Sequence, residues 1–291
     1  MTTINGGFNN FGGSNNFYGP VAGNDVTITA APSRADKSDK SDAEIGVLTV
    51  IDEEMRAVTG VLAGMDGYRT RRLADGPLAH EARLTGVDGR PLRIAAVQTL
   101  TRGTESAALA CRALVEAYGP STVLLVGIAG GVAPGVRIGD VVIADNIISY
   151  DARKVTPQGT QHRGQSQVVP APIGHRLNEF FQLEPRVGYR VHRGPIGSGN
   201  AVVADPEAEI RHWLHHVNDK VLAVETEAAG VAQSFHETAR LPGWLTIRGI
   251  SDTADQSKND DDHAIAARHA AEVMAMLVPF LDFRTPSTSK S

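Results

Sequence analysis

From about residue 43 onward the chain alternates short β-branched apolar runs with stretches of helical spacing, the pattern of an α/β domain. Ile45 to Ile51 is a near-continuous apolar run that predicts a buried strand, and the acids Asp52, Glu53 and Glu54 behind it open a helix. Arg83–Val87 and Pro91–Val97 flank Asp88-Gly89 and predict a hairpin. Glu105 to Tyr118 reads as a helix stopped by Gly119-Pro120, and Thr122 to Val126 as a buried strand running into Gly127–Gly131. Asp140 to Ile148 predicts another strand, and residues 150–172 a long, polar, basic-leaning loop. Asp205-Pro206 supplies the N-cap and first-turn proline of a helix reaching Val217. A strand over Val221–Val224, a helix over Glu225–Thr238, a strand over Trp244–Ile250 and a helix over Asp262–Phe280 complete the pattern, with no internal repeat.

The flanks read differently. Residues 1–24 carry no charged side chain, six Asn and six Gly, punctuated by Phe8, Phe11, Phe17 and Tyr18. Such sequence buries no core alone, but copies stacked in register would form Asn ladders and aromatic stacks. The near-palindrome Asn16-Phe-Tyr-Gly-Pro-Val-Ala-Gly-Asn-Asp-Val26 resembles the short amyloid-signalling motifs that bacterial and fungal immune-type proteins place at one terminus. A plain flexible tail is the competing reading, and Pro20 counts against a fully paired strand. The expected organisation is a disordered or self-assembling tag at 1–32, a polar linker at 33–42, a domain at 43–283 and a tail at 284–291.

Composition narrows the classes. The 291 residues hold 28 Lys and Arg against 33 Asp and Glu, a formal net charge of −5, with no long basic run to meet nucleic acid or anionic lipid. Cys111 is the one cysteine, which excludes an internal disulfide or a cysteine zinc cage. No basic-plus-apolar leader and no span-length apolar run occurs, so the expectation is a soluble, cytoplasmic protein. Gly197-Ser-Gly199 lacks the spacing of a nucleophile elbow, His212, His215 and His216 have no HExxH context, and neither GxGxxG nor a P-loop is present.

The candidate chemistry gathers at predicted strand ends, where open α/β sheets place their ligand crevice. Asp52-Glu53-Glu54, Gly127–Gly131, Glu225-Thr226-Glu227 and Ser251-Asp252 all fall there. Each acid taken singly has an ordinary explanation as a helix-terminal or turn residue. Together, at the ends of several predicted strands, they weigh more as candidates for a shared site.

These segments also carry a resemblance. Ile45–Glu54, Val126-Gly-Ile-Ala-Gly-Gly-Val132 with Gly139-Asp-Val-Val-Ile-Ala144, Val224-Glu-Thr-Glu-Ala-Ala-Gly230 and Ile247-Arg-Gly-Ile-Ser-Asp252 resemble, in order, the landmarks of the nucleoside phosphorylase and methylthioadenosine/S-adenosylhomocysteine nucleosidase superfamily. The resemblance implies a three-layer αβα sandwich with a mixed, twisted central sheet. It also implies cleavage of an N-glycosidic bond to a purine through an oxocarbenium-like transition state. On this footing Asp252 gives a proton to purine N7, Glu227 grips the ribose hydroxyls and Glu54 orients and deprotonates water. Gly127, Ile128, Ala129 and Gly130 would pass close to the ligand, Ser251 would orient the Asp252 loop, and Val202, Val203, Glu225 and Thr226 would line the pocket. No metal or redox cofactor is required, and a homo-oligomer, commonly a dimer, is implied.

Departures from the family pattern refine this. Hexameric purine phosphorylases hold phosphate with an Arg two residues before the central Gly and a Ser just after it, where this chain has Leu125 and Ile128. Water is therefore the favoured nucleophile, with phosphorolysis and a catalytically idle binding module as rival readings. The nucleosidase Met and stacking aromatic are replaced by Thr226 and Val202, so the pocket departs from the methylthioadenosine type. Arg102, and Arg153, Lys154, His162 and Arg163 in the long loop, are candidates to receive a 5′-phosphate, which would make the substrate a nucleotide. A self-assembling tag on a nucleotide-destroying enzyme suggests, by analogy, a death or antiviral effector.

Overall fold

The computed structural model describes residues 42–73, 76–238, 243–253 and 260–284. The expected tag lies outside the described residues, as do most of the linker and of the C-terminal tail. Strand β1 (Ile45–Thr49) is buried along its whole length, because it pairs in parallel with β4 (Pro91–Gln98) on one side and β5 (Thr122–Gly131) on the other. Helix α1 (Asp52–Ala63) leaves β1 directly and packs with α6 (Asp260–Leu277) on one face. Helix α2 (Thr104–Tyr118), between β4 and β5, packs with α5 (Ala228–Thr238) on the other. The result is a three-layer αβα sandwich with a mixed central sheet.

Beyond β5 the sheet continues through β12 (Gly243–Asp252), β6 (Val141–Ser149), β10 (Val191–Ser198) and the short β11 (Ala223–Glu225). Strand β11 then pairs antiparallel with the far end of β5, through Ala223 with Gly131 and Val224 with Gly130. That second pairing closes β5, β12, β6, β10 and β11 into a ring. All ten residues of β12 are buried inside it. On the opposite flank, β2 (Asp66–Arg72) and β3 (Leu78–Thr85) extend the sheet antiparallel beyond β4.

Several expectations are corrected. Residues 150–172 are largely ordered: β7 (Arg153–Thr156) and β8 (Gly159–His162) form a hairpin, and β9 (Gln165–Val168) pairs with β6. Their side chains are mostly exposed on both faces, so no hydrophobic alternation marks them. The expected helix start at Asp205 is replaced by a turn, in which Asp205 Oδ1 accepts from the Glu207 amide at 2.9 Å; α4 runs over Glu209–Val217. Helix α5 begins at Ala228, not Glu225, which ends β11. The pattern gives no strand at 66–72 and no element between 173 and 204, where the structure has β2, α3 (Ala171–Gln182) and β10. Helix α6 ends at Leu277 and a 3-10 turn covers Val278–Phe280.

Candidate active site

The cleft opens where β1, β5, β11 and β12 end, and counted with its mouth it holds about 720 Å³. Glu54, in the first turn of α1, folds back on the chain that precedes it. Its Oε2 accepts from the amides of Val50 at 2.7 Å and Ile51 at 3.1 Å, and its Oε1 accepts from Ile128 N at 2.9 Å. A helix-terminal acid is thus turned toward the glycine run of the central strand. Gly127 is the condition for this: a Cβ there would occupy the space of Glu54 Oε1 and Arg248 Nη1.

Arg248, on β12, is fully buried and tied to three acids. Its Nη2 hydrogen-bonds to Glu225 Oε2 and, at 3.0 Å, to Glu227 Oε2, while Nη1 faces Glu54 Oε1 at 3.5 Å, an ion pair too long for a hydrogen bond. Burial works against its charge, yet Glu225, Glu227 and Glu54 outweigh that and hold Arg248 above its ordinary value. Burial pushes the Glu54 carboxyl above the usual carboxylate range, against the pull of Arg248 and its three amide donors. A carboxyl so placed is a better proton acceptor than an exposed one.

Glu225 and Glu227 differ although two residues apart. The Glu225 carboxylate accepts from the amides of Glu227 and Ala228 as well as from Arg248, so its oxygens are spent on holding the start of α5. Glu227 Oε1 accepts from Thr226 Oγ1 at 2.5 Å and from Gly103 N at 3.0 Å. Opposite them, β12 slips register against β5 between Ile250 and Asp252, and this bulge leaves Ser251 and Asp252 both lining the cleft. Ser251 Oγ lies 3.0 Å from Asp252 Oδ2 and 3.4 Å from the Ala129 carbonyl.

The structure therefore brings Glu54, Glu227 and Asp252 to one cleft, together with Ile128, Ala129, Gly130, Val202, Val203, Glu225, Thr226, Ser251 and Arg102. Gly127 stands behind the wall, against Glu54 and Arg248. Val202 is 64% exposed, at the rim. Leu125 points into the core and Ile128 contributes its amide to Glu54. The loop cations are not brought in: Arg153, Lys154 and Arg163 do not line the cleft. The His162 side chain is buried against Trp213, 5.3 Å between ring centroids, with Nδ1 3.2 Å from the Tyr150 carbonyl. Cys111 is buried and its thiol is pushed up to about 12 by burial, which makes it a poor nucleophile. Among the described residues no group of His, Cys, Asp and Glu is arranged to hold a metal ion.

The family model of the phosphorylase superfamily matches residues 44–281. The chain belongs to that superfamily. Among curated proteins of known name, the ATP nucleosidase Cap17 of Escherichia coli strain KTE188 is 26% identical over 255 residues, covering 79% of this chain and 50% of its own. The chain spans about half the length of the curated relatives it matches. The phosphorylase-superfamily fold recurs in the methylthioadenosine/S-adenosylhomocysteine nucleosidase of Streptococcus pneumoniae bound to a transition-state inhibitor, with TM-score 0.66, 25% identity, and 82% and 99% of the two chains covered. The Neisseria meningitidis nucleosidase, in complex with methylthio-immucillin-A, has TM-score 0.65 at 23% identity, covering 81% and 98%. Futalosine hydrolase of Helicobacter pylori strain 26695 has TM-score 0.64 at 21% identity, covering 80% and 96%.

Sequence reasoning missed Arg248, Tyr150 and His263. Arg248 had a signal: a charged residue inside an otherwise apolar strand must be paired when buried. Tyr150, buried at the end of β6, places its hydroxyl 3.0 and 2.8 Å from the carbonyls of Gly199 and Ala201 and so fixes the rim before Val202. His263 reaches the cleft from α6, a placement no local pattern encodes.

Proposed function

We propose that this protein hydrolyses the N-glycosidic bond of a purine nucleoside or nucleotide. The observation that carries the reading is the convergence of Glu54, Glu227 and Asp252, from three separate strand ends, on one cleft. Glu54 takes a proton from water as the water oxygen bonds to the anomeric carbon. The C1′–N bond breaks, its electron pair passes to the base, and Asp252 supplies the proton that makes the base a neutral leaving group. Glu227, with both oxygens oriented by Thr226, Gly103 and Arg248, is left to receive the ribose hydroxyls. The side chains of Leu125 and Ile128 offer no donor to an oxyanion, and Arg248 is fully buried and ion-paired with three carboxylates, which supports water over phosphate as the nucleophile.

The test is a panel of purine nucleosides and nucleotides, incubated with and without phosphate and chromatographed for free base. Release without phosphate is expected; release only with phosphate makes the protein a phosphorylase, and none at all removes the hydrolase. Asp252→Asn is expected to lower kcat by at least about a hundredfold with the fold intact, and unchanged turnover takes Asp252 out of the mechanism.

A homo-oligomer in the cytoplasm accompanies this reading, and exposed Leu100, Leu109 and Val168 give it apolar surface to bury. Among the described residues no helix is long and apolar enough to cross a membrane. The Asn/Gly-rich residues 1–32 and the resemblance they carry support self-assembly with an amyloid-type partner, and hence an antiviral or death effector that destroys nucleotides.

A further inference from the structure

The cleft is dominated by carboxyl groups: Glu54, Glu225, Glu227 and Asp252 all line it. An anionic substrate is repelled from such a surface unless its charge sits apart from the acids and meets a cation there. Two lining residues can carry positive charge, Arg102 and His263. The third cation nearby, Arg248, is buried behind the wall and held by its three acids. Arg102 and His263 make no ion pair or side-chain hydrogen bond among the described residues.

The backbone that carries Arg102 is fixed on both sides. Thr101 N donates to Ser106 Oγ at 3.1 Å, Gly103 N to Glu227 Oε1 at 3.0 Å, and Thr104 N to Asn200 Oδ1 at 2.9 Å. Gly103 makes the turn at φ +106°, where a Cβ would also stand 2.9 Å from Asn200 Oδ1. The residue after Arg102 therefore touches the very carboxylate that receives the ribose hydroxyls. A ribose held at C1′ by the acid pair and at O2′ and O3′ by Glu227 has one carbon left to bear a variable group, C5′. Arg102, one residue before the Gly103 amide that binds Glu227, and His263, from the start of α6, both line this cleft and are the cations it offers to a charged group on C5′.

We infer that Arg102 and His263 form a 5′-phosphate subsite, and that the substrate is a nucleoside 5′-phosphate in preference to the free nucleoside. This rests on the hydrolase reading above for the placement of the sugar. Arginine suits a phosphate oxygen pair through its planar fork, and the histidine adds a second donor. The phosphate ester takes no part in the chemistry: it remains on C5′ of the ribose product while the base leaves.

The experiment has two arms. In the first, kcat/KM for base release is compared between adenosine, AMP and ATP for the full chain and for Arg102→Gln and His263→Gln. The wild-type protein is expected to favour a phosphorylated substrate by at least about tenfold, and Arg102→Gln to cut that preference by at least about tenfold, mainly through KM. In the second, calorimetry measures binding of adenosine and AMP to Asp252→Asn, with and without Arg102→Gln. AMP is expected to bind more tightly, and the advantage to vanish with the second substitution. Base release with no phosphate preference, or a preference that survives both Arg102→Gln and His263→Gln, overturns the subsite while leaving the hydrolase standing. Phosphate-dependent binding that Arg102→Gln abolishes, with no base released from any substrate, upholds the subsite and overturns the hydrolase.

Discussion

In β12 the guanidinium of Arg248 is fully buried, so its charge must be balanced by carboxylates, and three converge on it from α1 and the β11–α5 corner. The same contacts set the poise of Glu54. Its carboxyl titrates above the ordinary value of 4.5 because burial penalises the charged form. Between 4.5 and that raised value the folded protein binds more protons than the unfolded chain, so Glu54's contribution to stability declines as pH rises through the window. On the proposed mechanism activity moves the other way, since there it is the ionised form that accepts the proton of water. The acidic limb of a kcat/KM profile should therefore lie above the usual carboxylate range, and a limb at or below 4.5 would remove Glu54 as the base. The acids themselves were legible as residues at strand ends. Arg248, which makes their crowding tolerable, was not singled out, because a charge within an apolar run reveals its partners only after the chain folds.

At the level of elements, legibility followed burial. Strands β1, β5 and β12 stand covered on both faces, and their continuous apolar runs give them away. Strand β2, with the sequence DGYRTRR at the sheet edge, has no such run, and in β10 Gly194 and Pro195 read as a break. The structure accommodates Pro195 at a register shift against β6, a device invisible in the sequence. The junction of α2 with α5 shows how tightly elements constrain the cleft. A Cβ on Gly230 would collide with the Thr104 carbonyl, and the loop ahead of Thr104 holds Glu227. Gly230→Ala is therefore expected to lower stability by about 1–3 kcal/mol in urea titration and to raise KM for the nucleoside more than it lowers kcat. A neutral substitution by both measures would show that α5 rides on α2 more loosely than these contacts imply.

For the molecule as a whole, the hydrophobic core of the described residues runs from Ala43 to Leu281 and draws on both flanks of the sheet. The sequence pattern places residues 1–32 outside the α/β domain, so a protein starting at Ser33 is expected to unfold in one transition within a few degrees of the full chain and to release base at an equal rate. Thioflavin binding is expected of the full chain and lost on that truncation. Full-chain samples that never bind the dye would leave residues 1–32 as a plain tail, and a truncated protein that cannot fold would place part of the domain before residue 33.

The seam between β11 and β5 consists of two residue pairs, and it lies immediately before Glu225 and Glu227. Opening of that short seam would shift Glu227 relative to Asp252, so on the proposed mechanism the join that closes the ring also governs how long the two acids share one sugar.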